Sequence, residues 1–230
     1  MDITWLGHSS FRIEIAGQIL LVDPWFTGNP LFPEERRDDA TRGATQILLT
    51  HAHFDHVADT LELARTLRIP VVGQFDLMSY WQDHEHIETL GFNKGGTVHL
   101  GDVAVTMVNA LHSSSFAGPE GPQWAGTECG NMIAGEGRVI YLSGDTDVTA
   151  DMGVWNDLHA PDIGILSAGG HFTMNMARAG YAAKTFFDFK TVIPCHYKTF
   201  PVLEQSAEAL VKALPGVEVI EPEVMKAIAL

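Results

Sequence analysis

The sequence predicts an α/β (α+β) protein in which two β-sheets pack face to face with helices outside. Three observations carry that prediction. Short apolar runs of strand character come in clusters. Helical patterns are interspersed in both halves of the chain, so each half supplies strands followed by helices. Hydrophobic residues make up 46% of the 230 positions, enough to bury a substantial core. No internal repeat, low-complexity segment or linker interrupts the chain, and its length suits one domain, read here as residues 1–230.

Taken in order, FRIEI alternates apolar and polar residues with period two, as a strand does. Ala16-Gly17-Gln18 makes a turn and ILLVD follows as a buried strand, so the two form a β-hairpin. Residues 27–43, TGNPLFPEERRDDATRG, are rich in Gly, Pro and charge and read as a loop. QILLT is another buried strand. Residues 57–67 read as a helix because Val57, Leu61, Ala64 and Leu67 recur at helical spacing. IPVVG is a strand, followed by a polar helical stretch holding His84 and His86. TVHLGDVAVTMVNALH reads as two strands hinged at Gly101-Asp102. Residues 113–126, SSSFAGPEGPQWAG, are either a lid over a site or a plain loop. GNMIAGEGRVIYLSGD is a hairpin turning at Gly135-Glu136-Gly137. DIGILSAGG is a strand, 175–187 a helix, TVIPCH a strand, 202–214 a helix and VEVIEP the final strand.

The chain carries 29 acidic against 14 basic residues, a formal net charge of −15. That balance argues against a nucleic-acid partner, which wants a basic footprint. It leaves room for a small anionic substrate, because a bound cation supplies local positive charge. Two cysteines, Cys129 and Cys195, are too few for a disulfide framework. The opening Met1-Asp2-Ile3-Thr4-Trp5 lacks the basic start of a signal peptide. No apolar run approaches the roughly 20 residues of a membrane-spanning helix. A cytoplasmic protein without membrane or nucleic-acid partners is expected, acting on a small-molecule substrate, with a homo-oligomer left open.

His51-Ala52-His53-Phe54-Asp55-His56 places four metal-ligating side chains within six positions, directly after the apolar run ILLT. Ligand types close other apolar runs as well. His112 ends VTMVNALH, Asp145 ends VIYLSGD and His196 ends TVIPCH. Strands ending this way can converge on one edge of the sheets, where sites are commonly built. Imidazole and carboxylate suit zinc and other first-row divalent ions, and no cysteine joins the set as a structural thiolate site would require.

On these residues the chain resembles the metallo-β-lactamase fold hydrolases, whose signature is H-x-H-x-D-H followed by His, Asp and His in the order seen here. The segments WLGHSSFRIE, VDPWFTGNP and GGHFTM further resemble a subgroup related to L-ascorbate-6-phosphate lactonase. The resemblance covers nearly the whole chain. It implies a four-layer αββα metallo-β-lactamase sandwich and two divalent metal ions, zinc first and manganese second. His51, His53 and His112 would hold one ion, Asp55, His56 and His196 the other, and Asp145 would bridge both. A hydroxide bridging the ions would be the nucleophile, with Asp55 among the catalytic groups. Two ions, less two carboxylates and a hydroxide, leave roughly one positive charge for an incoming oxyanion. The expected activity is hydrolysis of a small anionic substrate at a lactone, carboxylic ester or phosphoester. A metal-dependent nuclease of the RNA-processing branch and a metal-binding protein without turnover are the alternatives. The flavo-diiron relatives carry a carboxylate where this chain has His53, which separates hydrolysis from redox chemistry.

His8, in Gly7-His8-Ser9-Ser10, and His171, in Gly169-Gly170-His171-Phe172, are catalytic candidates that are either near the site or structural. Asp23 either accepts a hydrogen bond from a ligand imidazole or is a turn carboxylate before Pro24. Tyr197 and Lys198, directly after His196, are candidates for substrate contact; Lys198 departs from the smaller polar residue of the subgroup. Cys195 should face the core and His196 the metals, because neighbours in a strand point to opposite faces. His84 and His86 read as solvated, His99 as structural and His159 as an exposed loop residue. Trp5, Trp25, Phe26, Phe116 and Trp124 are core by default.

Overall fold

The computed structural model describes residues 1–118 and 121–230. In the first half, β1 (Asp2–Trp5), β2 (Phe11–Ile15) and β3 (Gln18–Val22) form an antiparallel meander. A 3-10 turn at Glu34–Arg36 leads into α1 (Arg37–Thr41). Then follow β4 (Gln46–Leu48), α2 (Phe54–Val57), α3 (Thr60–Leu67), β5 (Val71–Gln74), α4 (Phe75–Glu85) and β6 (Thr89–Phe92). The second half holds β7 (Thr97–Leu100), β8 (Val103–Asn109), the hairpin β9 (Ser115–Gly118) and β10 (Gly121–Trp124), β11 (Cys129–Gly135) and β12 (Arg138–Leu142). It continues with α5 (Asp151–His159), β13 (Ile163–Ser167), α6 (Met176–Phe186), β14 (Thr191–Cys195), α7 (Glu208–Ala213), β15 (Glu218–Val219) and β16 (Ala227–Ala229).

Two seven-stranded sheets result, ordered β16-β1-β2-β3-β4-β5-β6 and β15-β14-β13-β12-β11-β8-β7. Each is antiparallel through its hairpins and parallel where helices cross over between strands. The expected two-sheet architecture is present. Side-chain alternation explains the layering of the first sheet. Leu20, Val22, Leu48 and Val72 point into the core shared with the second sheet. Their neighbours Leu21, Ile47, Leu49 and Val71 point outward, against Leu63 and Ala64 of α3 and Leu77, Met78 and Trp81 of α4. Among the described residues no helix is long and apolar enough to cross a membrane.

Several elements differ from expectation for identifiable reasons. The loop of 27–43 contains α1, whose buried turn is only Ala40 and Thr41, a signal hidden by surrounding charge. The helix of 57–67 divides into α2 and α3 around Asp59. That carboxylate accepts from the backbone of Phe26 and Thr27, from the Thr27 hydroxyl and from Arg37, and so ties the preceding loop down. The stretch 202–214 is helical only in α7, because Glu204 is bonded through its backbone to Gly169 and Lys198 instead of to a helix. VEVIEP supplies β15 and is not the final strand; β16 returns to pair with β1. His159 closes α5, half-buried, and His99 is exposed on the edge strand β7. Trp124 leaves the core altogether, at 68% exposure. The segment 113–126 is largely the β9–β10 hairpin; Pro119 and Glu120 within it lie outside the described residues.

Candidate metal centre

The strand ends of both sheets meet at one edge. Asp23 follows β3, the His51–His56 cluster follows β4, and His8 sits in the turn between β1 and β2. From the second sheet come His112 after β8, Asp145 after β12 and His196 after β14. Two backbone hydrogen bonds join the sheets there: His196 N donates to His8 O at 2.9 Å and Cys129 N to Thr50 O at 3.0 Å.

Several of these residues leave their strands in the left-handed backbone region, with φ of 53° at His8, 42° at Asp23 and 59° at His196. Strain of this kind persists where surrounding structure over-determines it. Close approach does so at Gly169, where a Cβ would lie 1.7 Å from His196 O, and at Gly144, where it would lie 2.3 Å from Cys129 O. The left-handed turn also corrects the expected cause of the Cys195–His196 division. Cys195 is in the core as anticipated, but β14 ends there, and the change of φ rather than strand alternation directs His196.

The ligand types fall into three overlapping groups whose donor atoms lie within 4.8 Å of one another: His51, His53 and His112; His8, Asp55, His56 and His196; and Asp23, His51 and His56, which joins the other two. Asp145 stands between the first two and is 2% exposed. One carboxylate fixes a ring in each of these two. Asp23 accepts from His56 Nδ1 at 2.8 Å and from the Thr50 hydroxyl at 2.6 Å, and Thr50 Oγ1 lies 3.0 Å from His51 Nδ1. A carboxylate only accepts, so His56 carries a proton on Nδ1. Thr50 spends its proton on Asp23 and accepts from His51 Nδ1. Nε2 of both rings then faces the centre. Of the two readings of Asp23, the hydrogen-bonding one holds.

Burial opposes charge on Asp55 and Asp145, yet the adjacent imidazoles, His56 for Asp55 and His196 with His56 for Asp145, hold both well below the usual carboxylate range. Burial pushes His51, His53 and His112 down, which keeps their lone pairs available. His56 is held up, against burial, by Asp145, Asp23 and Asp55 around it. Buried His56 Nε2 and Asp145 Oδ1 have no hydrogen-bond partner. Orphaned buried donors and acceptors of this kind are costly. Together with a nitrogen and oxygen donor set, they fit a bound metal cation.

Three expected residues fall elsewhere. His171 is exposed, its ring against Phe172. Tyr197 is fully buried and stacks on Trp5 with ring centroids 5.5 Å apart, because the chain turns inward after His196. Lys198 is paired with Glu221 and lies over the Tyr197 ring. Neither Tyr197 nor Lys198 is among the residues that line the cavity at the centre. His8 does reach the centre, with Nε2 2.9 Å from Asp55 Oδ2 and Nδ1 2.8 Å from Thr199 Oγ1. Sequence reasoning missed the cavity walls, about 810 Å³ enclosed by Phe54, Phe172, Phe200 and Val202 and by the β9–β10 hairpin. Phe54 had a signal in its place inside the His cluster, and the β9–β10 hairpin in the lid-or-loop reading of 113–126.

A two-sheet sandwich with a His and Asp cage at the meeting of its strand ends defines a metal-dependent hydrolase of the metallo-β-lactamase type. The family described as "Beta-lactamase superfamily domain" matches residues 18–218. A "UPF0173 metal-dependent hydrolase" of Dinoroseobacter shibae is 67% identical over 230 residues, covering 100% of both chains. The corresponding protein of Paracoccus denitrificans is 66% identical with the same coverage. The chain belongs to this UPF0173 family of metal-dependent hydrolases within the beta-lactamase superfamily. Among solved structures, Igni18, a metallo hydrolase from Ignicoccus hospitalis, is similar with a TM-score of 0.85 and 28% identity, covering 100% of this chain and 98% of that one.

Proposed function

We propose that the hydrolase is binuclear and acts on a small molecule, cutting a lactone, carboxylic ester or phosphoester. The observation that supports this is the position of Asp145. Its Oδ2 lies 3.0 Å from His196 Nε2 and 3.4 Å from His56 Nε2 on one side, and 3.7 Å from His112 Nε2 and 4.0 Å from His51 Nε2 on the other. A single carboxylate within reach of both imidazole groups is what two cations sharing a ligand require. Zinc or manganese held there would supply a water ionised near neutral pH and a Lewis acid for the scissile oxygen. Asp55 lines the cavity as a carboxylate and would orient the attacking water, with His8 fixing its Oδ2. The nuclease alternative loses support, since the net charge is −15 and no Lys or Arg is among the described lining residues.

Elemental analysis of protein purified without chelator should give about two divalent ions per chain, with His51→Ala and His196→Ala each losing one. Chelation should abolish ester hydrolysis, and added zinc or manganese should restore it. A single tightly held ion under replete conditions would overturn the binuclear reading.

A further inference from the structure

Among the described residues, the cavity carries its ionisable groups at one end. Its ionisable lining residues are His53, Asp55, His112, Asp145 and His196, all in the cage. Away from the cage the described wall is mainly apolar, built from Phe54, Phe116, Phe172, Phe200, Val202 and Pro122, with Ser115 and hairpin backbone beside them. Phe54, Phe172 and Val202 are 64%, 52% and 59% exposed, so their apolar faces stand open toward whatever enters. Trp25, only 4% exposed, backs this wall, with its ring centroid 5.5 Å from that of Phe54 and 5.9 Å from that of Phe200. Trp25 thus supports Phe54 and Phe200 from behind. The volume, about 810 Å³, lies in the range of sites that enclose a small organic ligand. A phosphate or carboxylate on the far part of a substrate would meet no cationic partner among the described lining residues, and the nearby Lys198 is taken by Glu221. Burying such a charge unpaired is strongly unfavourable.

We propose that the substrate is a neutral carboxylic ester or lactone whose acyl or aryl group fills this apolar wall, with the scissile carbonyl at the cage; this rests on the hydrolase reading above. In the reaction the water oxygen bonds to the acyl carbon and the bond from that carbon to the alkoxy oxygen breaks. The alkoxy oxygen takes one water proton, leaving as the alcohol from an ester or remaining as the hydroxyl of the opened chain from a lactone, and the carboxylate forms with the other proton going to solvent.

The test uses the full metal-loaded chain and para-nitrophenyl esters from acetate to hexanoate. kcat/KM should rise up to about fourfold per added methylene. An ester of matching length ending in a carboxylate should be at least about tenfold slower. Phe172→Ala and Phe200→Ala should flatten the chain-length slope, whereas Lys198→Ala should leave it intact. Calorimetry with straight-chain alcohols from butanol to octanol gives a readout independent of turnover, and affinity should rise with length. Hydrolysis with a flat profile, or faster cleavage of the carboxylate-ended ester, would overturn the apolar substrate and leave the hydrolase reading standing. Length-dependent alcohol binding without hydrolysis of any ester would support the apolar wall and overturn the ester-hydrolase reading.

Discussion

His8 has a partner on each ring nitrogen, Asp55 on Nε2 and Thr199 on Nδ1. Burial, with His196 alongside, brings its pKa down to about 4, so the ring is neutral near pH 7. Because the carboxylate only accepts, the single proton sits on Nε2, and the Thr199 hydroxyl donates to Nδ1 at 2.8 Å in preference to the more distant Tyr197 carbonyl at 3.2 Å. His8 thus holds Asp55 in one orientation. His8→Ala should lower kcat and the cation affinity of the group around His196 by about 10–100-fold. His8→Gln, which retains a donor, should recover part of both, as read by competition with a chromophoric chelator. Most of the cage was legible because His112, Asp145 and His196 close apolar runs and His51, His53, Asp55 and His56 crowd into six positions after another. His171, Tyr197 and Lys198 sit beside sequence landmarks too, but adjacency along the chain does not survive a left-handed turn such as those at His171, His196 and Lys198. Thr50 and Thr199 carried no signal, since their role depends on which ring lies next to them in space.

At the scale of elements, the segment from Gly169 to Glu204 shows how the site is set from outside its strands. Gly169 packs against the carbonyl of His196, and its own carbonyl accepts from Glu204 N at 2.8 Å. Gly169→Ala should push β14's exit aside, costing about 1–3 kcal/mol of stability and depleting the cation bound at His196. Denaturant unfolding and elemental analysis read the two effects. Strands were the readable elements, because alternation and short apolar runs are local signals. The α5 helix was not read, as only Met152 and Trp155 along it are buried. The β6 strand is four residues long, with only Phe92 buried. The division of α2 from α3 and the delayed start of α7 depend on hydrogen bonds to distant loops, which no window of sequence contains.

Over the whole molecule, the two sheets repeat one plan, a hairpin followed by parallel crossovers, without any repeat in sequence that announces it. The donor set is shared between them. His51, His53, Asp55 and His56 hang from the first sheet, and His112, Asp145 and His196 from the second. Ions bound to the folded form alone stabilise it by about 4 kcal/mol at a thousandfold excess over Kd. For a chain of this size that raises the unfolding midpoint on the order of 10 °C, a shift that a thermal melt with and without chelator should show. His51→Ala should show a smaller shift. A cage whose halves belong to different sheets would also make copy number answer to cation supply. Molecules that fill the cage would resist opening, and those that do not would be cut sooner by proteases that sample the open form. A cell short of the ion would then hold fewer copies of this hydrolase, and the protein's half-life would serve as a gauge of the ion.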